Sequence, residues 1–413
     1  MGTKKLTNEE RNLEIYSTQE TPTDTSKVNH NTPLEDLNLN WSERDLPEKI
    51  RTKHVHRLHP YLGKFIPQLV EVFLRKYFSP NDTILDPFAG SSTTIVQANE
   101  LGINSIGYDI SAFNILLGKV KAADYDIPVL SQEINDILEK CIRICNKSNK
   151  YAQQELFGIE ELEISQSDDK YLNEWFSPSA LNQLLTYRGL ILNSDYKYSD
   201  VMKVILSRSA RSARLTTHYD LDFPKKPQKE PYYCYKHRRT CIPVTDALQF
   251  IKRYSIDTSK RISEFSLLRT NASVQLIHQD SRIANIPPID GAITSPPYVG
   301  LIDYHEQHEY AYHLLDLDDN RKSEIGAAVN GSGFKAKFDY QNDITSVFKN
   351  VMSALKPGGR LIVVAGDRAN LYPTIGEDLG FEVEAVVQRH VNRRTGRRSS
   401  DFFESIFIWK KPT

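Results

Sequence analysis

The sequence has 413 residues, of which 39% are hydrophobic and 25% are charged, and this composition is that of an ordinary globular protein with a sizeable core. Lys and Arg number 52 against 53 for Asp and Glu, which excludes a protein held on nucleic acid by bulk positive charge, although local basic patches can still bind it. No apolar run reaches the roughly 18 residues of a membrane span, and no signal-peptide segment is recognisable, so we expect a cytoplasmic protein that does not bind membranes.

The N-terminal part is polar before it becomes patterned. Residues 1–40 are rich in Thr, Asn, Glu and Ser, and they are predicted to form a flexible leader. Order is expected to begin near Trp41. Apolar residues at helical spacing, with a proline suited to the first turn, then predict a helix over 67–77.

A strand–turn–helix–strand unit follows. A short apolar strand over 83–86 leads through a turn of small residues into a helix over 92–101. A second strand over 104–108 ends at Asp109. This order of elements is typical of a parallel sheet.

The pattern changes after Lys121. Residues 122–270 are mostly helical in period and contain no clear parallel strand, so they are predicted to form an insertion. Strands return at 274–278 and 289–294. The simplest architecture is a doubly wound α/β sheet whose two halves flank a largely helical insertion.

The C-terminal part completes this sheet. A helix is predicted over 344–355, a buried strand over 361–365, and an antiparallel hairpin from the strands 381–390 and 404–410. The chain is thus predicted to divide into three parts. Residues 1–40 form a flexible leader, residues 122–270 form an insertion, and residues 41–121 together with 271–413 form a catalytic domain.

The four cysteines do not suggest a disulfide scaffold. Cys141 and Cys145 lie one helical turn apart, while Cys234 and Cys241 flank a basic loop. Neither spacing is that of a zinc ribbon, so we expect buried free thiols and no metal site.

The first predicted strand runs into a turn of small residues, Asp86-Pro87-Phe88-Ala89-Gly90-Ser91-Ser92. Such a turn lets a ligand approach the backbone at the carboxyl end of a strand, where open α/β sheets bind ligands. It lacks the Gly-Lys-Ser/Thr of a phosphate loop, and a purely structural turn remains an alternative. Asp109 ends the next strand, where an acidic residue can bind ribose hydroxyls or, alternatively, cap the following helix.

The most informative segment is Ser295-Pro296-Pro297-Tyr298, which directly follows a hydrophobic strand. Consecutive prolines fix the backbone and leave carbonyls free as acceptors, and the tyrosine offers a flat face for a base. Acceptors on both N–H bonds of an exocyclic base amine would favour a pyramidal nitrogen and expose its lone pair. Ser295 Oγ and the Pro296 carbonyl are suited to this, although a rigid strand-ending turn is the alternative.

These motifs together resemble the amino methyltransferases of DNA. Ser295-Pro296-Pro297-Tyr298 is similar to their catalytic motif in the serine form typical of N4-cytosine enzymes, whereas Asp or Asn in the first position is usual for adenine N6. The turn at Gly90 resembles their cofactor loop, with Ser92 where a second glycine is common. Segment 59–67 resembles the family's segment that covers the methionine end of the cofactor. Segment 355–359 resembles the turn before the family's fifth strand.

The resemblance implies S-adenosylmethionine as cofactor and a Rossmann-like fold. Asp109 is implied to bind the ribose, Asp280 the adenine amine, and Asp86 with Gly90 the methionine end. The residues implied to bind the cofactor are Tyr61, Lys64, Phe65, Asp86, Phe88, Gly90, Ser92, Thr93, Asp109 and Asp280, and those implied to be catalytic are Ser295, Pro296, Pro297 and Tyr298. For Asp280, a carboxylate that caps a turn is the alternative.

Two basic stretches are candidates for DNA binding, because Lys and Arg bind phosphates and Arg also reads guanine edges. Solvated surface loops are the alternative. The candidate residues are Arg208, Arg211, Arg214, Lys236, Arg238 and Arg239 in the insertion, and Arg393, Arg394, Arg397 and Arg398 between the last two strands.

The sequence therefore predicts a site-specific methyltransferase that acts on double-stranded DNA through a flipped cytosine. A cognate restriction endonuclease is a possible partner, and the oligomeric state stays open. Adenine N6 is the alternative target, a guanine amine of RNA is a more distant one, and a catalytically silent DNA-binding regulator is a different class. A C5-cytosine enzyme is disfavoured because none of the cysteines follows a proline.

Overall fold

The computed structural model describes residues 14–15, 17–151, 167–391 and 402–413. The strands are β1 Glu14–Ile15, β2 Thr83–Asp86, β3 Asn104–Asp109, β4 Tyr232–Cys234, β5 Arg239–Cys241, β6 Val274–His278, β7 Ile289–Thr294, β8 Leu355–Ala365, β9 Glu382–Val391 and β10 Phe402–Lys410. The helices are α1 Glu48–Arg51, α2 Pro67–Tyr77, α3 Thr93–Glu100, α4 Ala112–Ala122, α5 Ile127–Tyr151, α6 Lys170–Trp175, α7 Pro178–Leu192, α8 Ser199–Ala213, α9 Leu248–Ser266, α10 Tyr304–Gln307, α11 Glu309–Leu315, α12 Phe334–Ala354 and α13 Tyr372–Asp378. None of the described helices combines the length and apolarity that a bilayer crossing requires.

Eight strands form one mixed sheet in the order β1-β9-β10-β8-β7-β2-β3-β6. β2 pairs in parallel with β3 on one side and with β7 on the other. The chain therefore moves outward from β2 in both directions, and the carboxyl ends of β2, β3 and β7 share a crevice of the kind that binds ligands in such sheets. The predicted Rossmann-like α/β fold is confirmed.

The C-terminal strands close the sheet as predicted. β10 runs antiparallel to both β8 and β9, so the last two strands form the expected hairpin within the sheet. The predicted strand–turn–helix–strand unit is also confirmed, since β2, α3 and β3 lie within one residue of its expected bounds.

The expectation of a flexible leader is wrong for residues 17–40. Val28, Leu37 and Leu39 are buried and pack in the same core cluster as residues of β8, β9 and β10. The Asn38 side chain fixes this segment by donating a hydrogen bond to the Gln19 carbonyl over 2.9 Å. Its few apolar residues suffice because they cover an open face of the sheet instead of forming a core of their own. Residues 1–13 lie outside the described part.

The insertion is largely helical, as predicted, and also contains the small antiparallel hairpin β4–β5, which the sequence did not suggest. Its helices share one hydrophobic cluster with Phe113 and Leu117 of α4 and with Tyr310 of α11. The predicted boundaries at residues 122 and 270 therefore divide the chain into segments, but the described part of the insertion does not have a hydrophobic core of its own.

A close approach at Gly118 seats α4 against the turn after β2. A Cβ atom at Gly118 would lie 2.2 Å from Ser92 Oγ and 2.9 Å from a Leu276 methyl group. Only glycine permits this contact between a helix, the turn and β6. The packing thus fixes the floor under the carboxyl end of β2.

Candidate active site

A pocket lies at the carboxyl ends of β2, β3, β6 and β7, where the order of the strands in the sheet reverses. It brings together the turn at Gly90, Asp109, Asp280 and Ser295, which sequence reasoning had placed in one site. Of the residues predicted to bind the cofactor, those that line this pocket are Tyr61, Lys64, Phe65, Phe88, Gly90, Thr93, Asp109 and Asp280.

The turn after β2 depends on Gly90. Gly90 adopts φ +46°, in the left-handed region that favours glycine. Its N–H donates to Asp109 Oδ2 over 2.7 Å, and a Cβ atom there would lie 3.1 Å from the Tyr61 hydroxyl. Ser92 follows with φ 59° and is fully buried, so it shapes the turn from below and does not line the pocket.

Asp109 is a partly buried carboxylate with three donors. Besides the Gly90 N–H, it accepts the Ser111 N–H over 2.8 Å and the Asn114 side-chain amide over 3.1 Å. Burial raises the pKa of Asp109. A carboxylate offers about four acceptor positions, so capacity remains for a ligand hydroxyl. The cap of α4 is Ser111, which accepts the Asn114 N–H, and Asp109 therefore is not itself the N-cap.

Asp280 follows β6 and also lines the pocket. Its carboxylate pairs with Arg282, with Nη2 at 2.6 Å from Oδ2, and accepts the Arg282 N–H over 2.9 Å. Asp280 thus closes its own turn while facing the pocket. Arg282 is anchored in turn by Asp343 at 2.8 Å.

The motif predicted to be catalytic, residues 295–298, follows the end of β7. Ser295 and Pro297 line the pocket, whereas Pro296 is buried. The Pro297 carbonyl accepts a hydrogen bond from the Tyr340 hydroxyl over 2.9 Å. Tyr298 donates its hydroxyl to Glu404 over 3.0 Å, so a buried carboxylate on β10 holds the tyrosine in place.

Asp86 ties the two turns together. It is 1% exposed and accepts the Thr294 hydroxyl over 2.7 Å and the Phe88 N–H over 3.1 Å. Asp86 thus lies beneath the pocket and links β2 to β7. Burial, only partly offset by hydrogen bonds from Thr294 and Thr94, raises the pKa of Asp86 to about 6.

Asp86→Asn should become more stable relative to the wild type as pH rises. The folded state holds the Asp86 proton more tightly than the unfolded chain, so wild-type stability falls between about pH 4 and pH 6 and stays lower above that range. At 1.36 kcal/mol per unit, the relative gain approaches about 3 kcal/mol. Urea unfolding of both proteins at about pH 4.5 and pH 8 measures roughly 2 kcal/mol of this gain, because the rest of the change falls below pH 4.5. An equal difference at both pH values would contradict the assignment.

Segment 61–65 forms one wall. The Tyr61 ring stacks on Tyr304 at 5.8 Å and on His308 at 5.4 Å, and its hydroxyl accepts the Asn114 amide over 3.2 Å. Lys64 donates to the His56 carbonyl over 2.9 Å, and burial lowers the pKa of Lys64 to about 8. This wall faces the Gly90 turn.

Sequence reasoning missed a second wall that contains His305 and Glu324. Both line the pocket, and the His305 ring hydrogen-bonds Glu324 through Nδ1 over 2.7 Å. Glu324 also accepts the Tyr304 N–H over 2.7 Å. No motif marks this pair, because its members lie 19 positions apart in irregular sequence.

The structure leaves little exposed surface on Arg208, Arg211 and Arg214, and their binding to DNA stays a prediction. Arg208 pairs with Asp257 at 2.6 Å and Arg211 with Asp222 at 2.5 Å. Arg214 is 2% exposed, donates to a backbone carbonyl over 2.6 Å and lies over the Tyr310 ring. These guanidinium groups are engaged inside the insertion because α8 packs that face against its neighbours.

The remaining basic candidates differ in what the structure describes. Lys236, Arg238 and Arg239 are exposed at the tip of the β4–β5 hairpin, beside the exposed rings of Tyr233 and Tyr235. The other four candidates lie outside the described residues: Arg393, Arg394, Arg397 and Arg398.

Comparison with known proteins gives consistent matches. A family model described as DNA methylase matches residues 3–118. The chain is 38% identical to the Type II methyltransferase M.MjaII of Methanocaldococcus jannaschii, over 88% of this chain and 82% of that protein. It is 28% identical to the Type II methyltransferase M.BsoBI of Geobacillus stearothermophilus, over 71% and 60% of the two chains. Among solved structures, TrmN from Thermus thermophilus is similar with a TM-score of 0.32 and 12% identity, over 85% of this chain and 50% of that one.

Proposed function

Because the chain belongs to the type II DNA methyltransferases, we propose that it methylates the N4 amine of a cytosine within a specific sequence of double-stranded DNA. The methyl donor of this family is S-adenosylmethionine. The observation that carries the choice of target is the serine that opens the motif Ser295-Pro296-Pro297-Tyr298. It stands at the end of β7, in the pocket that also contains Gly90 and Asp109.

The side chains around the pocket fit this cofactor chemically. The carboxylates of Asp109 and Asp280 suit ribose hydroxyls and an adenine amine. The Gly90 turn leaves space that a side chain would fill, and Tyr61, Lys64, Phe65, Phe88 and Thr93 complete the walls. Asp86 and Ser92 act as positioning residues below the turn. When bound, S-adenosylmethionine supplies an electrophilic methyl group on a sulfonium.

The chain's own residues then prepare the amine. The target cytosine must leave the base stack to reach the pocket. Ser295 Oγ and the Pro296 carbonyl accept its two N–H bonds, which favours a pyramidal nitrogen with an exposed lone pair. Tyr298, held by Glu404, offers its ring face to the base. Proximity and orientation contribute on the order of 7–11 kcal/mol in favourable cases, and no covalent bond between enzyme and base is needed.

Nucleoside analysis tests the target directly. The protein is incubated with methyl-labelled S-adenosylmethionine and, in separate reactions, with double-stranded DNA of mixed sequence or with tRNA, and each nucleic acid is digested to nucleosides. Labelled N4-methylcytosine is the expected product. N6-methyladenine would overturn the cytosine assignment while preserving the enzyme class, and label recovered from tRNA alone would overturn DNA as substrate. DNA from cells that express the chain, sequenced for the mark, locates the site.

We assign target recognition to the insertion, residues 122–270, because it carries an exposed basic hairpin with aromatic side chains. Phosphates bind such lysines and arginines, and stacked bases bind such rings. A restriction endonuclease that cuts the same sequence is the partner implied by this function, and the cytoplasm is where both would meet DNA.

Removing the charges of Lys236, Arg238 and Arg239 together should weaken DNA binding and flatten its salt dependence. Each phosphate contact contributes about 0.9 to the slope of log affinity against log salt, so the slope should fall by up to about 3. Fluorescence anisotropy with labelled duplex at several salt concentrations measures it.

Arg208→Gln is the matched control for this prediction. It removes one positive charge instead of three, and it removes it from an internal ion pair, so it should lower stability and leave the salt slope unchanged. If the salt slope changed in Arg208→Gln and not in the hairpin variant, the phosphate contacts would not lie on the hairpin.

A further inference from the structure

Four side chains with metal-binding atoms converge around the β4–β5 hairpin. They are His218, Cys234, His237 and Cys241, and one ligand atom from each lies within 4.8 Å of all the others. Cys234 ends β4, Cys241 ends β5, and His237 lies in the turn between them, while His218 comes from the segment after α8. Both cysteines are buried free thiols.

The spacing of these atoms suits a tetrahedral ion. His237 Nδ1 lies 3.5 Å from Cys241 Sγ. With Zn–S about 2.3 Å and Zn–N about 2.0 Å, a tetrahedral site separates sulfur and nitrogen by about 3.5 Å. The contact is therefore close to the distance between two ligands that share one ion.

A neighbouring tyrosine orients the fourth ligand. The Tyr232 hydroxyl hydrogen-bonds His218 Nδ1 over 2.7 Å. Metal-binding histidines are commonly fixed in this way through the ring nitrogen that does not bind the ion. Nε2 is then the nitrogen that His218 contributes.

The segment around the cluster lacks an apolar core. Between residues 217 and 246, all of which the structure describes, Cys234 and Cys241 are the only buried residues. Each strand of the hairpin has three residues, and an isolated two-stranded hairpin is marginally stable at best in water. A bound ion would supply the missing stabilisation, since metal-binding free energy contributes directly to folding in small segments of this kind.

We propose that these four residues bind one Zn²⁺ in a closed, structural site. Two thiolates and two imidazoles form a Cys₂His₂ set that suits zinc, and four protein ligands leave no open position for chemistry. The ion holds the hairpin that presents Tyr235, Lys236 and Arg238 to solvent. The spacing of the cysteines alone does not indicate this site, because two of the four ligands are histidines in the order His–Cys–His–Cys. The site is separate from the proposed methyl transfer, so its test does not depend on the target base.

Metal analysis of the full chain tests the proposal. Protein without a histidine tag, purified without chelators, should contain about one zinc per chain by mass spectrometry of the metal. Reduced, metal-free protein reconstituted with Co²⁺ should show the visible bands of a tetrahedral site and a thiolate-to-cobalt charge-transfer band. A zinc-free protein without these cobalt bands, or a disulfide between Cys234 and Cys241, would overturn it.

Variants assign the ligands. Cys234→Ser and Cys241→Ser should lose the zinc, whereas the control Cys141→Ser with Cys145→Ser, which alters the two buried thiols of α5, should keep it. Full zinc in Cys234→Ser would refute the ligand set. As a measurement on unaltered protein, chelation should make the bonds after Lys225 and Lys229 newly sensitive to trypsin, and added Zn²⁺ should restore protection. An unchanged digestion pattern would refute a structural role.

Discussion

Ser295→Ala should lower the rate of methyl transfer by about 10²–10³-fold, the loss seen when one preorganised hydrogen bond to a transition state is removed. Ser295 stands at the end of β7 and faces the pocket, where its Oγ is proposed to accept an N–H of the target amine. The proposed cofactor contacts come from the ends of β2, β3 and β6, so cofactor affinity should change little. Single-turnover methylation and a separate titration with S-adenosylmethionine measure the two effects.

Ser346→Ala provides the matched control for Ser295. It removes the same hydroxyl from an exposed position of α12, and surface changes of this kind are usually within about 0.5 kcal/mol in stability. Its methylation rate should stay close to that of the wild type. If Ser295→Ala instead lost cofactor affinity and kept the rate of the chemical step, Ser295 would belong to the cofactor site.

Gly90→Ala should reduce cofactor affinity by at least about tenfold, or about 1.4 kcal/mol. The left-handed backbone at Gly90 costs an L-residue about 1–2 kcal/mol. The added Cβ would also lie 3.1 Å from the Tyr61 hydroxyl. It would therefore push against the pocket wall and strain the hydrogen bond that the residue-90 N–H donates to Asp109. Calorimetric titration with S-adenosylmethionine measures the loss.

Gly189→Ala makes the same substitution where it should help. Gly189 lies within α7, and no atom comes within 4 Å of its added Cβ. Replacing a helical glycine with alanine stabilises by about 0.5–1 kcal/mol. Cofactor affinity should be unchanged in this variant. Normal affinity in Gly90→Ala would show that the turn tolerates a side chain and does not contact the cofactor.

The parts of the fold that the sequence predicted are those encoded by nearby residues. The strand that ends at Asp86, the small residues of the turn and the next strand that ends at Asp109 occupy one continuous stretch. Their alternation and turn residues suffice to define a parallel unit. The two prolines after Thr294 marked the end of β7 in the same local way.

Sequence patterns are less informative where the interacting partner is distant along the chain. Arg208 is neutralised by Asp257, 49 positions later, and a run of arginines alone does not reveal such a partner. Asp86 and Ser92 belong to the predicted loop but lie under the pocket, because burial depends on how α4 and β7 pack beside them. Likewise, Leu37 and Leu39 are too few to predict a core, and only the sheet that they cover gives them one.

The shared hydrophobic cluster has a consequence for how specificity can change. Helices of the insertion pack on Phe113 and Leu117 of α4 and on Tyr310 of α11, and α4 also supplies Asn114 to the pocket wall. The insertion therefore could not be transferred from one relative to another by itself, because parts of the neighbouring helices would have to be transferred with it. Under the proposed role of the insertion, new recognition sequences would instead arise by stepwise substitution on its solvent face, where the β4–β5 hairpin can vary without disturbing this common interior.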